Sequence, residues 1–161
     1  MPNHQSKTSP GSNGSGDDST FVYSNIRDVF LKRFPELWER IESEYGPYYN
    51  LKHQLPGAYP LFEDILQERV IELLKSGADA DSLRRIFSFY EEMAKSKDED
   101  VLTLLWISIM EPLVYDKKLI AEAWKYMGEK TKNMAREIAG LRAWEENLPS
   151  APEQPSGEGN R

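Results

Sequence analysis

From Phe21 onward, apolar residues recur at three- and four-residue spacing in short runs, each bounded by a turn or a capping residue. The first run is Ile26, Val29, Phe30 and Phe34, and Ser24 or Asn25 before it can accept an orphan backbone N–H as an N-cap. Pro35 interrupts that run, because it has no N–H to donate and restricts the residue before it. The same proline suits the first turn of a second helix, Pro35 to Tyr45, with Leu37, Trp38, Ile41 and Tyr45 inward. Gly46-Pro47 closes it, and Tyr48 to Tyr59 reads as one long irregular segment with a turn at Pro56-Gly57. A third helix starts at Pro60 and buries Leu61, Phe62, Ile65, Leu66, Val70, Leu73 and Leu74 before Lys75-Ser76-Gly77.

The stretch from Asp81 to Leu113 organises the rest, as a helical hairpin with a charged turn. Its first helix has Asp81 or Ser82 as N-cap and Leu83, Ile86, Phe87, Tyr90, Met93 and Ala94 on one face, with Phe89 off that stripe. Ser96 to Glu99 has the S-x-x-E form of a capping box. Asp98, Glu99 and Asp100 favour the positive end of the helix that follows. Val101 to Met110 is almost wholly apolar, which predicts a core helix buried all round, Trp106 included, with Thr103 and Ser108 bonding back to the preceding turn. Its β-branched residues leave a buried strand open, but the capping signals and helical neighbours argue against it.

After Pro112 a short connection leads to Asp116, an N-cap for a helix carrying Leu119, Ile120, Ala123, Trp124 and Met127 and ending at Gly128. A last helix from about Thr131 carries Met134, Ile138, Leu141 and Leu148, with Trp144 or Glu145 at its boundary. The fold class is therefore all-α, about seven short helices in antiparallel pairs, either HEAT-like or an irregular helical bundle. Three segments result: a disordered tail over 1–20, a helical domain over 21–148 and a second disordered tail over 149–161. Both tails are rich in Ser, Gly, Asn and Pro, with almost nothing to bury.

Charge and composition narrow the function classes. The formal charge is −7, so net charge draws the chain to neither nucleic acid nor an anionic membrane, and a basic protein suits it better. The apolar run over Val101 to Met110 falls short of the ~20 residues that cross a bilayer. There is no cysteine, hence no disulfide, thiolate nucleophile or cysteine metal site. With no charged leader before an apolar run, the reading is cytoplasmic.

No phosphate-binding glycine loop, G-x-S-x-G elbow or H-E-x-x-H is present, so no catalytic, cofactor or metal-binding residue is assigned and no enzyme is expected. His4 lies in the first tail and His53 stands alone in the irregular segment. Binding candidates remain. Asp98, Glu99 and Asp100 form a carboxylate turn, against the simpler reading that they cap a helix. Glu111 ends the apolar run, where a carboxylate either pairs with a basic residue of a neighbouring helix or marks the rim of a binding surface. Tyr48 and Tyr49 offer large contact areas with polar tips, or else lid the core together with Tyr59.

Five stretches carry a family resemblance: Pro35 to Leu37 (P-E-L), Leu83 to Glu92 (L-R-R-I-F-S-F-Y-E-E), Asp98 to Val101 (D-E-D-V), Trp106 to Glu111 (W-I-S-I-M-E) and Lys125 to Thr131 (K-Y-M-G-E-K-T). Over about Phe34 to Ile138 the chain resembles a family of small bacterial all-helical domains of unknown function, similar to immunity proteins of polymorphic toxin systems. The resemblance implies a non-enzymatic domain that neutralises a cognate toxin, and the acidic charge of the chain suits a basic toxin as that partner. A regulatory or scaffold module for another bacterial protein is the alternative. No binding residue is carried over from the family.

Overall fold

The computed structural model describes residues 21–150, and the tail expectations for 1–20 and 151–161 fall outside that range. Seven α-helices and no strand are found among the described residues. They are α1 (Tyr23–Arg33), α2 (Trp38–Tyr45), α3 (58–76), α4 (Ala80–Ala94), α5 (99–115), α6 (Lys117–Trp124) and α7 (Glu129–Arg142). Short 3₁₀ turns, Pro35–Leu37 and Glu145–Asn147, precede α2 and follow α7. The all-α expectation is met.

Helix α5 occupies the centre, packed against α1, α3, α4, α6 and α7. Helix α4 also meets α7, and α3 meets α6. Contacts that skip along the chain in this way describe an irregular bundle, since a solenoid unit touches only its neighbours. One core joins every helix, and Phe30, Phe34, Phe62, Phe87, Phe89 and Tyr90 are its largest fully buried side chains. Phe89, off the main stripe of α4, touches the rings of Phe21, Phe34 and Phe62 and so joins α4 to α1 and α3.

Two helices contain a wide, π-type turn, Leu61–Gln67 in α3 and Trp106–Met110 in α5, and these segments face each other. A wide turn frees backbone carbonyls from the regular ladder. Gln67, nearly fully buried, donates its Nε2 to the Ile109 carbonyl at 3.4 Å. Ser108 donates to Glu63 Oε1 at 3.0 Å, not to its own preceding turn as the sequence implied. Thr103 does bond back, to the Glu99 carbonyl at 2.8 Å. The chain stays helical through Pro112 to Tyr115, where a connection was expected. Pro112 would clash with the Ser108 carbonyl in a regular helix, and the wide turn lies directly before it.

Several boundaries differ from the sequence reading. Asp79, not Asp81 or Ser82, caps α4, accepting from the Ser82 N–H at 3.0 Å. Helix α1 starts at Tyr23, and Asn25 Oδ1 accepts from the Val22 N–H instead of acting as N-cap. Gly128 precedes α7 instead of ending α6, which stops at Trp124. Asp116 is the cap of α6, as read, accepting from Lys118 and Leu119. Leu141, placed inward by spacing, is 74% exposed near the end of α7.

Candidate functional site

The most consequential difference is on α5. Its apolar run predicts burial on every side, yet Leu102 and Trp106 are only half-buried and Ile107 is 49% exposed. Val101, Leu104, Leu105, Ile109 and Met110 take up the inner face completely. A helix has a circumference, and the neighbours of α5 leave one sector uncovered. Along that sector Leu102, Thr103, Trp106, Ile107, Glu111 and Arg142 line a groove of about 350 Å³.

Helical spacing already places Glu111 at the groove, since Thr103, Ile107 and Glu111 follow one another at four-residue intervals on one side of the helix. One extra residue in a helical turn rotates everything after it by about 100° relative to regular register. Met110, which regular phase would place beside Thr103, thereby turns fully inward, and Glu111 stays on the side shared with Thr103 and Ile107. There Glu111 pairs with Arg142 of α7 at 3.2 Å, with about a quarter of the Glu111 side chain exposed. The pairing reading of Glu111 is thus met across helices, and the same residue stands at a surface groove.

Both ends of α5 are tied down. At its start, Asp98 Oδ1 accepts from the Asp100 N–H at 2.9 Å, while Oδ2 accepts from the Tyr23 N–H at 2.8 Å, at the start of α1. One carboxylate therefore caps two helices. Those backbone donors, Tyr23 first and Asp100 next, hold the Asp98 carboxyl below its ordinary value. Ser96 does not form the predicted capping box; its hydroxyl donates to the Phe21 carbonyl at 2.7 Å and is buried there. At the other end, Asn147 Nδ2 donates to the Val114 and Tyr115 carbonyls at 3.0 and 3.1 Å. Trp144 meets the Tyr115 ring edge-on, at 5.2 Å between centroids. Ala143, between Arg142 and Trp144, is the one described non-glycine residue with positive φ, at 58°. That conformation is disfavoured for alanine and lets the chain turn back over the end of α5.

Four of the six candidates therefore belong to α5 and its cap. Asp98 is engaged in the two caps, Glu99 and Asp100 are exposed on the first turn, and Glu111 sits in the groove. By helical phase, Glu99 and Asp100 flank Thr103 within about 60° on the same side. The tyrosine candidates belong to another region. Tyr48 is 83% exposed, and Tyr49 packs its ring edge-on against Tyr45 at 6.0 Å. Tyr45 is anchored by donating to Asp64 Oδ2 at 2.5 Å and to the Pro60 carbonyl at 3.1 Å. Burial first, then the Asp64 carboxylate, raise its phenol well above the ordinary value. The lid reading holds for Tyr59, which is half-buried against the core, but not for Tyr48.

The remaining conspicuous motifs are consumed by packing. Glu91 of α4 accepts from the Lys130 N–H at 2.7 Å, from the Thr131 N–H at 3.0 Å and from the Thr131 hydroxyl at 2.8 Å, closing the open end of α7. A Cβ on Gly128 would lie 2.5 Å from Glu91 Cδ, so glycine is required for that approach. The L-R-R-I-F-S-F-Y-E-E and K-Y-M-G-E-K-T stretches meet at this cap. Glu36 of the P-E-L turn pairs with Arg85 of α4, whose guanidinium also lies 5.5 Å from the Phe34 ring centre.

Among the described residues no group of three or more His, Asp or Glu side chains is placed to hold a metal ion. No helix there is long and apolar enough to cross a membrane. A family model described as a domain of unknown function, DUF7674, matches residues 27–145. Comparison with curated proteins and with solved structures gave no match.

Proposed function

The chain belongs to the DUF7674 family, a domain of unknown function, and on that premise we propose that it acts by binding another protein rather than by catalysis. The observation that carries this reading is the open sector of α5. A half-buried tryptophan and a half-exposed isoleucine share a groove with a charged pair, on a helix fixed at both ends. Interface centres combine aromatic and apolar anchors with polar rims, and a pre-fixed helix loses little entropy on docking. The finer reading, neutralisation of a cognate toxin in a bacterial cytoplasm, rests on the resemblance of the five stretches alone. A regulatory scaffold would use the same surface.

A photo-crosslinking residue placed at Ile107, and separately at exposed Glu44 on α2, tests the reading in the host cell. A protein crosslinked from position 107 and not from position 44 is the expected result. No adduct at 107, or identical adducts from both positions, would refute it. For the finer reading, the products of neighbouring genes are expressed with and without this chain. Growth arrest that the chain relieves, and that an Ile107→Ser variant fails to relieve, is the expected outcome.

A further inference from the structure

We infer that the occupant of the α5 groove is a basic amphipathic helix of a partner protein; this deepens the protein-binding reading and rests on it. The groove runs along a helix and is apolar in its middle, at Leu102, Trp106 and Ile107. An apolar helix stripe laid in such a groove is a recurrent mode of recognition, with anchors at three- and four-residue spacing. The charges that flank this apolar stretch along α5 set the charge of the guest. Glu99 and Asp100 stand exposed on the first turn, and Glu111 lies some 16–18 Å further along, at 1.5 Å per residue. That span equals about three turns of a partner helix.

Nothing on this sector offers a net positive field. Arg142 is its one basic lining residue, and Glu111 already neutralises it. Lys95 and Lys97 lie in the turn before the helix and have contacts of their own. The chain as a whole is acidic, at −7. An acidic guest would meet Glu99 and Asp100 without compensation. A guest with lysine or arginine beside its apolar stripe gains at that end. The same charge disfavours a second copy of this chain, because two such sectors face to face would oppose carboxylate to carboxylate.

Two synthetic helical peptides of about 15 residues, long enough for a few turns, serve as probes. They share the same leucine positions and carry lysine or glutamate at the polar ones. Binding is followed by amide and indole shifts of the full isotope-labelled chain at low and at physiological salt. The lysine peptide is expected to shift resonances of residues 99–111 and Arg142, more weakly as salt rises, and the glutamate peptide to leave them unmoved. Asp100→Lys should weaken the lysine peptide about tenfold, while Glu44→Lys, with the same change in net charge, should alter it less than about twofold. Thermal melts of both variants establish that they fold.

Equal binding of both peptides on α5 would overturn the basic guest and leave the protein-binding surface in place. Shifts confined to other helices, or no binding by either peptide, would overturn the inference, while the crosslinking at Ile107 separately decides the broader reading. A concentration-dependent dimer abolished by Ile107→Ser would assign the groove to a second copy, and the inference would fall.

Discussion

Helices α3 and α5 are built alike on the inside and differently on the outside. Each is long, carries a wide turn and buries a run of large apolar side chains, and the two wide turns face each other across the core. The outer side of α3 presents Glu63, Asp64, Glu68, Glu72 and Lys75, the ordinary finish of a solvated helix. The outer side of α5 presents Glu99 and Asp100 on its first turn and then Thr103, Ile107, Pro112 and Tyr115, with Trp106 and Leu102 half covered. The fold therefore does not demand an apolar outer face from a helix in this role. Scattered exposed apolar residues are normal, but a groove of them on the most constrained helix needs a separate reason. That difference is the main ground for placing function on α5.

The largest expected effect tests the inner sides. Phe62→Ala on α3 empties a fully buried aromatic site and should cost about 3–5 kcal/mol. Trp106→Ala should cost roughly half as much, 1.5–2.5 kcal/mol, because part of that ring is exposed to water in the native state. Urea denaturation of the two variants gives the ratio. Equal losses would mean that Trp106 is a core residue and that α5 has no open sector.

The carboxylates sharpen the same contrast between committed and available groups. Glu91 closes the start of α7 with three accepted hydrogen bonds, so Glu91→Gln should destabilise by about 1–3 kcal/mol. Glu99→Gln, on the exposed first turn of α5, should stay within about 0.5 kcal/mol. A large loss for Glu99→Gln would make it a structural residue and remove one charge from the proposed contact.

Helix existence was legible because period and punctuation agree: Leu61 to Leu74 is one apolar stripe bounded by Pro60 and Gly77, and the structure buries all of it. What spacing could not show is coverage. Val101 to Met110 is as apolar as any core segment, and its exposure depends on how many neighbours reach around α5. Nor could sequence show the wide turn that carries Met110 inward, since one extra residue in a turn leaves no periodic trace in a ten-residue apolar run. Long-range caps were equally silent. The Glu91 carboxylate and the Gly128 backbone are far apart in the chain, and Asp98 looked like a local cap while also serving Tyr23 of α1. A lone glycine before a threonine was the only hint of the first, and nothing hinted at the second.

The starts of the two helices predict a pH effect. Helix α3 begins after Gly57 with no side-chain cap, whereas α5 begins with the doubly engaged Asp98. The folded protein holds the Asp98 carboxyl below its ordinary value. A depressed carboxylate contributes stability that is full above the unfolded value, near 4, and is lost as pH falls through the folded one. Asp98→Asn should therefore flatten the fall in stability below about pH 4 while lowering stability at neutral pH. Hydrogen exchange at acid pH should loosen first at the α1–α5 junction, ahead of the start of α3. If the acid limb is unchanged in Asp98→Asn, the double cap does not act on stability.

The smallest expected change compares one residue type on the two helices. Ile65 of α3 is fully buried and Ile107 of α5 is half exposed. Replacing either by serine alters intrinsic helix preference very little, so the difference between the variants isolates burial. Ile65→Ser removes a buried aliphatic side chain and leaves a hydroxyl among apolar atoms, which should cost several kcal/mol, about 3 or more. Ile107→Ser gives up only the covered part of the side chain, and should shift stability by about 0.5 kcal/mol or less. The same substitution should remove peptide binding, so a residue nearly silent in folding would be decisive in recognition. If Ile107→Ser instead unfolds the domain, the sector is part of the core and the contrast between the two helices disappears.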